Sequence, residues 1–106
     1  MKIFLDTADI SEIRRLAPTG MVDGVTTNPS LIAKSSTDIL ATIKEICAEV
    51  TGPVSAEVTA TDYDTMLKEG LKLADLADNV AVKVPLTIDG LKLCKTLSDQ
   101  GIMVNV

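Results

Sequence analysis

One lysine stands alone among apolar neighbours in the run Val80-Ala81-Val82-Lys83-Val84-Pro85. Drawing a lysine into apolar surroundings strips water from its ammonium and favours the free amine. A free amine attacks a ketone or aldehyde to form a Schiff base. Other apolar runs carry a carboxylate or an amide towards their ends: Asp6, Glu57 and Asn105. If these ends converge on Lys83, nucleophile and acid–base groups stand at one place. Plainer readings hold alongside. Lys83 paired with Glu57 or Asp6 is a structural lysine. Asp6 can cap the following helix, and Asn28 before Pro29 reads by itself as a cap. Tyr63 and Met66 read as helix packing.

The elements that must position these groups follow from periodicity. Short apolar strands are expected at Lys2–Asp6, Val22–Thr26, Val54–Thr59, Val80–Val84 and Ile102–Val106. Between them lie amphipathic helices. The first runs from about Asp9 to Ala17, where Asp9 and Glu12 have capping-box spacing. Asn28 and Pro29 suit the N-cap and first position of another. A longer helix spans about Thr37–Val50, its apolar residues Ile39, Leu40, Ile43, Ile46, Cys47 and Val50 at helical spacing, with Gly52 placed for a left-handed cap. Two more cover Asp62 to about Ala77, with Thr61 as cap, and Ile88–Ser98, capped by Thr87 and closed by Gly101.

Strand–helix alternation with short connections implies an α/β protein of parallel strands joined by right-handed crossovers. Two architectures fit: part of a TIM (β/α)8 barrel, of about four βα units plus a fifth strand, or an open five-stranded flavodoxin-like sheet. Strand alternation separates them. Val54, Ala56 and Val58 oppose Ser55, Glu57 and Thr59; Val82 and Val84 oppose Ala81 and Lys83; Val104 opposes Met103 and Asn105. A doubly wound sheet would bury the row Ser55, Glu57, Lys83 and Asn105 under helices, at a high desolvation cost. A barrel places that row inside, with the strand ends at the mouth where barrel enzymes react. The barrel is therefore the favoured fold, as a single domain over residues 1–106.

Composition narrows the function. The chain has 106 residues, is 46% hydrophobic and carries a net charge of −5. Its aliphatic content suits strands covered by helices. The absence of a basic run argues against nucleic acid, and no polybasic amphipathic face suggests a membrane surface. There is no histidine, so acid–base work falls to Asp, Glu, Lys or Tyr. Cys47 and Cys94 read as buried reduced thiols rather than a disulfide or metal framework. The N-terminal apolar run is too short for a signal peptide or a membrane span, so a cytoplasmic location is expected.

The segments Phe4-Leu5-Asp6-Thr7-Ala8, Gly24-Val25-Thr26-Thr27-Asn28-Pro29-Ser30-Leu31-Ile32, Val54-Ser55-Ala56-Glu57-Val58 and Val82-Lys83-Val84-Pro85 together resemble the transaldolase family, in its short single-domain branch that includes fructose-6-phosphate aldolases. Gly101–Val106 resembles the opening of that family's fifth strand. The resemblance covers the whole chain but only the N-terminal half of a family member, without the later loops that carry the family's phosphate-binding Arg and Ser residues. It implies transfer of a dihydroxyacetone unit between sugar phosphates in the pentose phosphate pathway, with no cofactor and no metal. Sedoheptulose 7-phosphate and glyceraldehyde 3-phosphate would give erythrose 4-phosphate and fructose 6-phosphate. It further implies Lys83 as the Schiff-base nucleophile, Glu57 as a proton shuttle through water, Asp6 as the base at the C4 hydroxyl, and Asn28 and Asn105, beside Thr26, as substrate-binding groups. Glu57 resembles the transaldolase pattern, since the related aldolases carry Gln there. The alternatives are a fructose-6-phosphate aldolase, or a catalytically incomplete structural or interaction module. Half a barrel leaves strands one and five as open edges, so a homo-oligomer or other edge-to-edge association is expected.

Overall fold

The computed structural model describes residues 1–106. Five parallel strands, β1 (Phe4–Asp6), β2 (Gly24–Thr26), β3 (Val54–Glu57), β4 (Val80–Lys83) and β5 (Met103–Asn105), pair in the order β1-β2-β3-β4-β5. Helices α1 (Ile10–Leu16), α2 (Pro29–Ser35), α3 (Ile39–Glu49), α4 (Tyr63–Ala74) and α5 (Ile88–Asp99) fill the connections, and a 3-10 turn at Ala17–Thr19 follows α1. Sequential order with right-handed crossovers puts every helix on one side of the sheet. A doubly wound sheet requires the order to reverse so that helices cover both faces. The flavodoxin-like alternative is therefore excluded, although the sheet is open. The fold is a run of (β/α) barrel units in which β1 and β5 do not meet.

The core lies between the sheet and the helices. Val25, Val54, Ala56, Val80 and Val82 point into it from the strands, against Ile13, Ile43, Ile46, Met66, Leu93 and Leu97. The other sheet face carries Phe4, Asp6, Thr26, Ser55, Glu57, Ala81, Lys83, Met103 and Asn105, and no helix covers it. Phe4 of β1 and Met103 of β5 line one hollow of about 310 Å³ on that face, so the sheet is curled with the polar row inside the curve.

Helix starts follow local chemistry. Asn28 Oδ1 accepts from Leu31 N at 2.9 Å with Pro29 next, and Thr87 Oγ1 accepts from Gly90 N at 3.0 Å. α4 begins one residue later than Thr61 suggests, because Asp62 is the cap, taking Thr65 N at 2.9 Å. Asp38 caps α3. The capping box of α1 is not reciprocal. Asp9 accepts from Ser11 N, while Glu12 accepts from Thr7 Oγ1, which itself takes Asp9 N. Gly101 has the left-handed conformation, at φ 77°, that ends α5. Gly52 does not have it. Its requirement is close approach, since a Cβ there would lie 1.7 Å from the Asp23 carbonyl oxygen. No helix is long and apolar enough to cross a membrane. Cys47 is buried, Cys94 half-buried, and both are free thiols.

Candidate functional site

The site is built on the C-terminal halves of the strands, on the uncovered face. The register places Glu57, Lys83 and Asn105 side by side across β3, β4 and β5. Residues opposite one another in adjacent strands share a face, so all three side chains project into the curve. Lys83 Nζ lies 3.5 Å from Glu57 Oε2, and each side chain is about one-third exposed. The lysine is thus half-buried and paired rather than enclosed by apolar groups alone. At that exposure an ion pair contributes only about 0–1 kcal/mol, which is little reason to keep both charges in the sheet on grounds of stability.

A second row lies two residues back, about 6–7 Å along the strands. It contains Asp6, Thr26 and Ser55, each opposite the next across β1, β2 and β3, and continues to Ala81 and Met103. Thr26 Oγ1 donates to Asp6 Oδ1 at 2.9 Å. Asn105 Nδ2 donates to Ser55 Oγ at 3.0 Å, bridging the rows. Ser55 also sits above a fixed point, because the buried Thr27 hydroxyl donates to its carbonyl at 2.8 Å. Small side chains at Ser55 and Ala81 leave the space under Lys83 open.

The arrangement brings Lys83 and Glu57 into contact and holds Asn105 beside them. Asp6 shares their face but its partner is Thr26, so Lys83 pairs with Glu57 and not with Asp6. Asn28 lies just beyond β2 and its carboxamide oxygen is engaged as a helix cap, which leaves its nitrogen as the group able to donate to a ligand. Reading the sequence for ionisable residues passes over Ser55 as a site member. Its signal was present in strand parity, two positions before Glu57, but its hydrogen bond to Asn105 spans 50 residues. No three His, Cys, Asp or Glu side chains converge anywhere in the fold. Chemically, a partly exposed amine with a carboxylate at 3.5 Å can add to a carbonyl and pass the protons that imine formation moves.

The chain is similar to probable transaldolases of Parvibaculum lavamentivorans and Ruegeria pomeroyi, each 67% identical over all 106 residues, and of Rhodospirillum centenum, 63% identical. The aligned region is 49% of the first two relatives and 46% of the third, so the chain spans about half the length of the curated relatives it matches. The family model for transaldolase/fructose-6-phosphate aldolase matches residues 3–106. With an amine–carboxylate pair at the strand ends of parallel (β/α) units and that match along nearly its full length, the chain belongs to the transaldolase/fructose-6-phosphate aldolase family.

Proposed function

We propose that this chain carries the Schiff-base half of a transaldolase site, acting on ketose phosphates in the cytoplasm. The observation that supports this most is the Lys83–Glu57 pair at 3.5 Å on the open face. Lys83 attacks the ketose C2 carbonyl. Glu57, through a water, gives and takes the protons needed as the carbinolamine loses water to the imine. Asp6 accepts the C4 hydroxyl proton as the C3–C4 bond breaks, and the bonding electrons pass to the protonated imine. The three-carbon unit stays on Lys83 until an acceptor aldehyde arrives. Asn28, Asn105 and Thr26 hold the hydroxyls of the three-carbon unit. Glu57 favours transfer over simple aldol cleavage.

The same geometry limits the chain. A phosphate dianion needs cations or several N–H donors, and Lys83 is the only cationic side chain among the inner-face residues of the five strands. Arg14 is held on the helical side by Glu45 and Glu49. Imine formation should therefore outlast turnover: trapping is expected, with weak or no net transfer between fructose 6-phosphate and erythrose 4-phosphate. The test is borohydride reduction in the presence of fructose 6-phosphate, followed by peptide mass spectrometry. One reduced sugar on Lys83, and none in Lys83→Ala, is the expected result. Equal labelling of the Lys83→Ala protein would remove Lys83 from the role.

A further inference from the structure

The segment that leaves β3 is held by a side chain from another element. Directly after Glu57, Val58 N donates to the Lys83 carbonyl at 3.1 Å. The next two backbone donors, Thr59 N and Ala60 N, both reach Glu69 Oε2, at 2.9 and 3.1 Å. The other carboxylate oxygen, Oε1, accepts from the Thr59 hydroxyl at 2.9 Å. Glu69 belongs to α4, and a helical side chain leans towards the start of its helix, which here is the direction of this segment. It is not needed to begin α4, because Asp62 is the cap. Packing does not replace it, since a hollow of about 240 Å³, bordered by Glu57, Thr59 and Glu69, opens beside the segment.

We propose that Glu69 is a positioning residue for the amine site, acting on Lys83 through Glu57. The proposal deepens the Schiff-base reading of Lys83 and Glu57 and rests on it for the effect on rate. Glu57 is the last residue of β3, so its backbone is fixed on one side by the ladder and on the other by the segment that follows. Two N–H groups sharing one carboxylate oxygen make charge-assisted bonds, the stronger kind, and set the direction in which the chain leaves the strand. That direction, together with the bond from Val58 to Lys83, holds Glu57 Oε2 3.5 Å from Lys83 Nζ. Without Glu69 the two N–H groups turn to water and the segment is free to shift beside its hollow. The Lys83–Glu57 pair is too exposed for its own attraction to restore the contact. A displacement of about 1 Å is enough to slow a positioned step roughly 10²-fold.

The test compares rates of borohydride trapping on Lys83, with fructose 6-phosphate, in Glu69 variants of the whole chain. Glu69→Ala should slow trapping roughly 10–10²-fold while circular dichroism keeps the folded spectrum. Should that variant not fold, Glu69→Met, of similar length but without an acceptor, carries the same comparison. Glu69→Gln should stay within about threefold of wild type, because its amide oxygen can accept both N–H groups and its nitrogen can donate to the Thr59 hydroxyl. In a Glu57→Gln background Glu69→Ala should cause no further slowing, since a residue acting only through Glu57 has nothing left to position. A merely structural glutamate would slow both backgrounds equally. Nuclear magnetic resonance gives a readout that needs no sugar. The carboxyl carbon signal of Glu57 should move on Lys83→Met in the wild-type background and stay in place in Glu69→Ala protein. A wild-type chain that traps nothing sinks the Schiff-base reading, and the Glu57 signal then decides the positioning alone. The proposal is overturned by wild-type trapping in Glu69→Ala, by equal slowing in both backgrounds, by a Gln variant as slow as Ala, or by a Glu57 signal that responds to Lys83→Met equally with and without Glu69.

Discussion

At the scale of single residues, the site separates charge from stability. The Lys83–Glu57 pair is too exposed to contribute more than about 1 kcal/mol. Glu57→Gln should therefore leave the melting temperature nearly unchanged while slowing imine trapping on Lys83 by roughly 10²–10⁴-fold, the range for loss of a positioned acid–base group. A Gln substitution that lowers stability by several kcal/mol and leaves the trapping rate alone would reverse the assignment. Cys47 offers a contrasting thiol. Burial pushes it up to about 11, so the folded state holds its proton more tightly than the unfolded chain does. Its contribution to stability is complete below about pH 9 and is lost as pH rises towards 11. At neutral pH Cys47 should resist iodoacetamide until the protein unfolds, which peptide mapping across a urea series would show.

At the scale of elements, the helices are started by acidic caps and held by close contacts. Ser11, by side chain and backbone, holds the Asp9 carboxyl below the usual carboxylate range, and the Thr65 backbone N–H does the same for Asp62. Both folded values lie below the unfolded one. Their contribution is present above about pH 4 and disappears as pH falls through the folded values. Asp62→Ala should lower the melting temperature at pH 7, and by less as pH falls below the usual carboxylate range, measured by thermal circular dichroism. Gly52→Ala should be far worse than a lost cap. Its Cβ would meet the Asp23 carbonyl at 1.7 Å, and backbone cannot yield as a flexible side chain can. Loss of soluble folded protein is the expected outcome, read by expression and near-ultraviolet circular dichroism.

At the scale of the whole molecule, one helical layer covers one sheet face and the other stays open. Stability then rests on a single core. Leu97→Ala, at a fully buried position of α5, should cost about 2–5 kcal/mol, checked by urea denaturation. The chain's own periodicities were enough for most of this plan. Alternating Val and polar positions in β3 and β4 announced two unlike faces, and Asn28-Pro29 and Thr87 marked helix starts, because those signals act over two to four residues. Two local readings failed for want of spatial information. Thr61 and Asp62 are both competent caps, and only the chain path puts Thr65 N against Asp62. Gly52 reads as a helix stop, whereas its constraint comes from Asp23, a residue distant in sequence.

Residue order alone determined the parallel (β/α) pattern and the parity that sends Asp6, Thr26, Glu57, Lys83 and Asn105 to one face. The folded structure alone decided that strand order runs β1 to β5 without reversal, that Glu57 rather than Asp6 reaches Lys83, and that Ser55 anchors Asn105. The division has a physical cause. Side-chain parity and capping are set by neighbouring dihedral angles, while register between strands is set by packing and hydrogen bonds among residues that meet only once the sheet has formed.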